Sequence, residues 1–211
     1  PMDELYDIAV SADGSKLLFC AMHGPYPWIV VIDIETRDTV KAFRGGYYFE
    51  VSSTGKYIAI IGLAPLTILD GETFEPIYEE LLLTGLASFS QDDYKLYIAV
   101  PDSTLVRIYN TAMFSVETKV DFGHKVSQPF WTYLCPNATG DKIYFANGDY
   151  HPHPDSGWYI MAYDTLLDSI TLKYGIGRPS VGDIKLTPDG SEVICTDPGV
   201  PMFSYNSSND I

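Results

Sequence analysis

The sequence predicts an all-β protein, a β-propeller of four-stranded antiparallel blades with four complete blades and most of a fifth. Three observations predict this fold. A strand, a tight polar turn and an apolar second strand recur five times in the 211 residues. A third strand that ends in Asp or Asn follows in register, and a more polar fourth strand completes four of the repeats. A repeat of roughly 20–50 residues, one supersecondary unit per period, is typical of solenoids and propellers.

Each repeat begins with a short alternating strand that ends in a polar turn. These segments are residues 8–16, 49–56, 87–95, 133–142 and 184–192. Four of the turns contain a glycine, namely Gly14, Gly55, Gly140 and Gly190. Glycine supplies the positive φ that a tight turn requires, and neighbouring Asp or Ser side chains bond the turn backbone. The segments therefore predict hairpins.

The remaining strands differ in polarity in a way that predicts their position in a blade. The second strands are nearly continuous apolar runs, as expected for strands covered on both faces: residues 17–21, 57–61, 96–100, 143–146 and 193–195. The third strands reach a turn at Asp33, Asp70, Asn110 and Asp164. The fourth strands alternate and are more polar, as outer edges should be: residues 39–43, 76–80, 116–120 and 169–173.

The repeat phase predicts one propeller domain over residues 1–211. Its blades are residues 5–46, 47–85, 86–129, 130–182 and 183–211. An immunoglobulin-like sandwich is the structural alternative, but it does not explain five copies of one phrase in phase. The fifth repeat ends soon after its third strand, at 202–206. Two alternatives stay open: the chain is a fragment of a larger propeller, or the closure of the propeller is unusual. An unpaired edge on the fifth blade would invite another strand or chain to complete it.

The segments SADGSKLLFC…VIDIETRDTV and LTPDGSEVICT resemble the YVTN-type propeller repeats of bacteria and archaea. The resemblance covers nearly the whole chain. It implies a propeller, usually seven-bladed, often in an exported protein, and hence an extracellular, cell-surface or periplasmic location. Propellers similar to these include lactone hydrolases and subunits of amine dehydrogenases. No repeat ends in the Trp-Asp pair of WD40 repeats.

Charge and composition exclude several classes of partner. The chain has 28 acidic and 13 basic residues, a net charge of −15, which repels phosphate backbones. No stretch approaches the roughly 18 apolar residues that a membrane-spanning helix needs. We therefore expect neither nucleic-acid binding nor membrane insertion. Cys20, Cys135 and Cys195 lie in apolar runs without a CxxC spacing, which predicts buried thiols.

Antiparallel order places the loops between second and third strands, and those between blades, on one rim. Two of these loops are predicted to be expanded, 22–28 and 147–158, and both end in tryptophan. Loops that depart from a repeat are common sites of added function. The predicted ligand-binding residues on this rim are Tyr26, Trp28, His124, Tyr150, Trp158 and Arg178. The alternative is that each tryptophan packs beneath its own loop.

The second expanded loop also contains four side chains of metal-ligand type. They are Asp149, His151, His153 and Asp155, at alternate positions. A β-strand would project all four to one face, whereas Pro152 and Pro154 favour polyproline geometry, which spreads them around the axis. A rigid exposed loop is therefore the alternative, and no cofactor other than such a metal is expected.

No catalytic set emerges from the sequence. It lacks a Gly-x-Ser-x-Gly elbow, a His-Glu-x-x-His pair and a P-loop. We expect a binding or scaffold module that presents its loop-rich rim to a protein or a glycan. A propeller enzyme or enzyme subunit, of the lactone hydrolase or amine dehydrogenase type, is one alternative. A structural component of a cell-surface layer is another.

The net charge yields the first prediction. The protein should not shift a labelled DNA or RNA duplex at micromolar concentration and physiological salt, because its field opposes phosphate contacts. An electrophoretic mobility assay over a salt series tests this. A shift that weakens as salt increases would contradict it.

Overall fold

The computed structural model describes residues 5–62, 65–81, 85–100, 103–122, 132–147, 159–175, 183–187, 191–197 and 200–206. These residues form 19 strands, and no α-helix occurs among them. The strands of the first two repeats are β1 (Leu5–Val10), β2 (Lys16–His23), β3 (Tyr26–Asp33), β4 (Thr39–Arg44), β5 (Tyr48–Val51), β6 (Tyr57–Ile61), β7 (Leu66–Asp70) and β8 (Pro76–Glu80).

The remaining repeats supply eleven strands. They are β9 (Ala87–Phe89), β10 (Lys95–Ala99), β11 (Leu105–Asn110), β12 (Ser115–Asp121), β13 (Thr132–Pro136), β14 (Lys142–Asn147), β15 (Tyr159–Asp164), β16 (Ser169–Gly175), β17 (Asp183–Leu186), β18 (Glu192–Asp197) and β19 (Val200–Asn206). No helix that could span a membrane occurs in this described part of the chain.

The strands form five antiparallel sheets, each made of consecutive strands. Four sheets have four strands, β1–β4, β5–β8, β9–β12 and β13–β16, and the fifth contains β17–β19. We call them blades 1 to 5. The first strands of successive blades contact one another, so they form the inner edge of the assembly. The predicted all-β propeller with four complete blades and most of a fifth is confirmed.

The first turn of every blade is fixed by the same side-chain bond. A Ser, Asn or Thr accepts a hydrogen bond on its side chain from the backbone N–H five residues later, at 2.9–3.1 Å. The pairs are Ser11 with Lys16, Ser52 with Tyr57, Ser90 with Lys95, Asn137 with Lys142, and Thr187 with Glu192. This bond satisfies a backbone donor at the start of the second strand. It therefore sets where that strand begins.

The turn between third and fourth strands uses the predicted Asp or Asn. Its side-chain oxygen accepts from backbone N–H groups two or three residues later. Four residues after it, a residue other than glycine has positive φ: Arg37 (64°), Phe74 (56°), Phe114 (46°) and Asp168 (51°). The strand register shifts beside every one of these turns. Each turn is thus a bulged hairpin.

The core lies between blades. We call the side of a blade that is turned to the following blade its front face, and the opposite side its rear face. Leu18, Cys20, Ile29 and Val31 on the front face of blade 1 pack against the rear face of blade 2, which supplies Phe49, Ile58, Ile60, Leu69 and Phe74. Equivalent clusters join blades 2 and 3, 3 and 4, and 4 and 5. Cys20, Cys135 and Cys195 are buried thiols, and burial raises the pKa of Cys20 to about 12.

Polar bonds also connect the first turns of neighbouring blades. The Asp93 carboxylate in blade 3 accepts from the backbone N–H groups of Ser53 and Thr54 in blade 2, at 2.9 and 3.1 Å, and from both hydroxyls. Asp93 has φ +59° at the position where other first turns have Gly14, Gly55 and Gly140. The hydrogen bonds that Asp93 makes to blade 2 thus accompany its strained, left-handed backbone.

One glycine is constrained by its neighbour as well as by its backbone. Gly140 has φ +69°, and its carbonyl accepts a hydrogen bond from the buried Tyr97 hydroxyl of blade 3 at 3.2 Å. A Cβ at Gly140 would lie 2.6 Å from that hydroxyl, whereas a Cβ at Gly14, with φ +73°, meets nothing within 4 Å. The two glycines therefore share a left-handed backbone but differ in their surroundings.

This difference predicts unequal effects of two alanine substitutions. Gly14→Ala should lower the free energy of unfolding by about 1–2 kcal/mol, the cost of a left-handed residue with a Cβ. Gly140→Ala should cost a further ~1–3 kcal/mol because of overpacking. Urea unfolding measures both. Adding Tyr97→Phe should recover part of the Gly140→Ala loss, and equal losses at the two glycines would contradict the prediction.

The Asp93 bonds predict a dependence of stability on pH. Partial burial alone would raise the pKa of Asp93, but hydrogen bonds from Thr54, Ser52 and Ser53 outweigh it and hold this pKa below its usual value. A carboxyl whose pKa is lower in the folded state stabilises the fold above its unfolded pKa, about 3.9, and loses that contribution as the pH falls further. Asp93→Asn should therefore destabilise the protein most near neutral pH.

Urea unfolding of wild type and Asp93→Asn from pH 7 to pH 3 tests this. The difference between the two free energies of unfolding should shrink below about pH 4. Asp92→Asn is the matched control, because the Asp92 side chain bonds only Ser90 and Tyr94 of its own turn. A difference for Asp93→Asn that stays constant over this pH range would contradict the assignment.

Candidate functional site

The predicted loop at 22–28 is not a loop. Strand β2 continues to His23 and β3 begins at Tyr26, so Gly24 and Pro25 alone form the turn. Gly24 has φ +64° at the first central position, as a type II′ hairpin turn requires. Pro25 lies within the turn, and Pro27 pairs with Met22 without interrupting the ladder. Instead of an added loop, blade 1 has two extended strands at this rim.

Two of the predicted ligand-binding residues lie together at the end of this hairpin. Tyr26 is 48% exposed and Trp28 is partly exposed. The Arg44 guanidinium lies 3.5 Å from the centroid of the Tyr26 ring, and Arg44 is the cross-strand partner of Trp28. We call Tyr26, Trp28 and Arg44 the rim cluster. It combines an aromatic surface with a fixed cation.

Arg44 was not identified as a site residue from the sequence, although the pairing register of β3 and β4 places it beside Trp28. Successive residues of β3 alternate between faces, and Ile29 and Val31 face blade 2. Tyr26 and Trp28 therefore lie on the opposite, rear face, where β4 brings Arg44 beside them. Counting residues back from the β3–β4 turn would place Arg44 there, but only if the register shift between Val31 and Ile32 were known.

The other predicted site residues lie outside the described residues. These are the ligand-binding candidates His124, Tyr150, Trp158 and Arg178, and the metal-ligand candidates Asp149, His151, His153 and Asp155. Within the described ranges, no three His, Cys, Asp or Glu side chains gather in a group suited to a metal ion.

A second polar cluster joins the fourth strand of blade 2, β8, to the third strand of blade 3, β11. The Glu80 carboxylate accepts from Arg107 Nη1 at 3.0 Å, from the Tyr109 hydroxyl at 2.7 Å and from the Tyr78 hydroxyl at 3.0 Å. Burial, together with the bond to Glu80, raises the pKa of Tyr109. Because the carboxylate oxygens are engaged by three donors, this cluster is a structural joint between blades.

The opposite rim has a cavity of about 320 Å³ at the inner strands of blades 2 to 5. Its lining is mostly polar or small: Glu50, Ser53, Ser88, Phe89, Gln91, Cys135, Pro136, Ala138, Lys185, Leu186 and Thr187. A carboxyl group, an amino group and several hydroxyls thus line one opening. Sequence reasoning missed this cavity, because its lining comes from four separate repeats.

Five consecutive sheets, each joined to the next through an apolar face, define a β-propeller. No family model matches the chain, and no curated protein matches it. Among solved structures, it is similar to hydrazine synthase of Kuenenia stuttgartiensis, with a TM-score of 0.73 and 14% sequence identity. The match covers 95% of this chain and 58% of that chain. At this identity the likeness shows the fold alone.

Proposed function

We propose that the protein is a binding or scaffold module, a single propeller domain that presents the rim containing Tyr26 to a protein or a glycan. The observation that carries the proposal is the rim cluster, in which an exposed tyrosine ring is held by the guanidinium of Arg44 at 3.5 Å. Tyrosine, tryptophan and arginine are the residues most enriched among interface anchors.

The geometry suits recognition by stacking. Arg44 covers one side of the Tyr26 ring and limits its motion, so less side-chain entropy is lost on binding. Trp28 extends the same surface along β3. A flat sugar face or a peptide aromatic group packs on such rings, while the guanidinium supplies donors for hydroxyl or carboxylate oxygens.

The resemblance to YVTN-type repeats supports an extracellular, cell-surface or periplasmic location for this module. The proposed partner is neither nucleic acid nor a membrane interior, in keeping with the net charge of −15. We propose that a strand from the same or another chain pairs with β19, because the described residues of blade 5 form a three-stranded sheet in which β19 is an edge.

A propeller enzyme or enzyme subunit is the second candidate. It is favoured by the cavity of about 320 Å³ at the opposite rim, whose lining includes the carboxyl group of Glu50 and the amino group of Lys185. The two candidates use opposite rims, so substitutions on one rim distinguish them.

Substitution of the exposed tyrosine tests the binding proposal. A glycan array and a displayed random-peptide library are the probes, and their best binders are then measured with purified variants. Tyr26→Ala should weaken binding by about 1–3 kcal/mol, the range for an interface anchor, which is about 5–150-fold in Kd. Loss of the ring removes the stacking surface, while the exposed position should leave the unfolding temperature nearly unchanged.

Tyr94→Ala is the matched control. Tyr94 is also an exposed tyrosine, but it lies in a first turn, on the opposite rim. Its removal should leave these affinities unchanged. The proposal would be overturned if neither library contains a binder, or if every binder tolerates Tyr26→Ala and Arg44→Leu as well as it tolerates Tyr94→Ala.

A further inference from the structure

One side chain from each of blades 2 to 5 lines the cavity at the opposite rim, and all four come from the same position in the repeat. They are Glu50, Ser88, Cys135 and Lys185. Each lies two residues before the Ser, Asn or Thr that fixes the first turn of its blade. Their cross-strand partners are equivalent too, namely Ala59, Tyr97, Tyr144 and Ile194. We call these four lining side chains the inner ring.

Strand alternation places the inner ring on the front faces of its blades. The residues immediately before it are buried in the joints with the preceding blades: Phe49, Ala87, Leu134 and Ile184. The side chain one residue later therefore projects to the other face. In blade 1 the same position is Ala9, which packs against the joint with blade 2. Alanine thus satisfies the packing at this position, whereas a carboxyl group at Glu50 and an amino group at Lys185 need another explanation.

The two charged members of the inner ring lie on opposite sides of the cavity. The inner strands contact one another in the order β5, β9, β13 and β17, so two strands separate Glu50 on β5 from Lys185 on β17. These two strands supply Ser88 and Cys135, which are only 7% and 8% exposed and form a neutral floor. Glu50 is partly exposed and Lys185 is exposed. The cavity therefore presents a negative group on one side and a positive group on the other.

We propose that this cavity binds a small zwitterion, a molecule of the amino-acid type whose ammonium group lies at Glu50 and whose carboxylate lies at Lys185. A simple anion would meet the Glu50 carboxylate and a simple cation would meet the Lys185 ammonium, whereas a zwitterion is complementary to both. The volume of about 320 Å³ is at the lower end of the range for small-molecule sites, which excludes a large ligand. Phe89 and Pro136, from the two middle blades, also line the cavity and suit the hydrocarbon part of such a ligand.

This inference does not rest on the binding of a protein or glycan at the other rim. The rim cluster lies on the opposite side of the sheets, so Tyr26→Ala should leave zwitterion binding unchanged. Loss of partner binding in Tyr26→Ala and loss of zwitterion binding in variants of Glu50 or Lys185 are therefore separate results. The inference concerns binding and needs no reaction; within the propeller-enzyme candidate, it names the substrate class.

Titration calorimetry with zwitterions of increasing length tests the inference. The probes are glycine, γ-aminobutyrate and ε-aminocaproate, and each is compared with the carboxylic acid and the amine of the same chain length. These counterparts have one charge each and are otherwise matched. The best zwitterion should bind about tenfold or more tightly than either counterpart, because a hydrogen bond to a charged group contributes at least that factor.

Substitutions then assign the two charges. Glu50→Gln and Lys185→Met each remove one charge at nearly constant size, and each should weaken binding of the best zwitterion about tenfold or more. Glu79→Gln and Lys119→Met are the matched controls, at exposed positions of the outer strands β8 and β12, and should leave it unchanged. Glu50→Lys should instead prefer the dicarboxylate of the same length, because both sides of the cavity then carry an amino group.

Three results would contradict the inference. In the first, no zwitterion of the series binds, or the single-charge counterparts bind equally well. In the second, Glu50→Gln and Lys185→Met bind the zwitterion as the wild type does. In the third, each of these variants lowers the free energy of unfolding, the double variant restores it and no zwitterion binds, since Glu50 and Lys185 would then be a structural ion pair.

Discussion

Every blade has apolar side chains on both faces of its middle strands, so no blade can exclude water from its own core. In β6 all five residues are buried, some in the joint with blade 1 and the others in the joint with blade 3. A sheet that is apolar on both faces is stable only between two neighbours. The apolar side chains of this molecule therefore pack between repeats, and the turns determine which face of the sheet each side chain occupies.

The register of each strand is critical because a shift of one residue moves every side chain to the other face. Two hydrogen-bonded turns in each complete blade prevent that shift. The first turn places the side chain of Ser, Asn or Thr on the backbone N–H that begins the second strand. The second, at the Asp or Asn that ends the third strand, adds one bulged residue in each of four blades. Packing between blades then follows from these local bonds.

Most of the fold could be predicted from the sequence because these devices are local. Gly55 and Asp70 occur at fixed offsets from apolar runs, and each indicates its turn without reference to the rest of the chain. The positive φ of Phe74 could not be predicted, since it is stabilised by burial of the ring between blades 1 and 2. Asp93 is similar: its left-handed backbone is held by bonds to Ser53 and Thr54 of another repeat.

The rim cluster was predictable only in part, because one of its contacts joins residues that are distant in sequence. Tyr26 and Trp28 were identified as rim aromatics, but residues 22–28 were predicted to form a loop, whereas the ladder continues through Pro27 and only Gly24 and Pro25 form the turn. Arg44 is distant in sequence and reaches Tyr26 through a bulged register. The cavity at the opposite rim depends on side chains from four repeats, such as Glu50 and Lys185, which no local pattern connects.

The chain order of the strands has a consequence for how the protein is made. Each sheet is built from consecutive hairpins, so nearly all pairing within a blade joins residues close in sequence. Local pairing of this kind forms quickly, and a ribosome releases the chain at about 5–20 residues per second, amino end first. The hairpins of blade 1 can therefore pair while later repeats are still being translated, and its front face is covered when blade 2 pairs and packs against it. Folding thus proceeds by accretion, in which each new repeat covers the apolar face left open by the repeat before it.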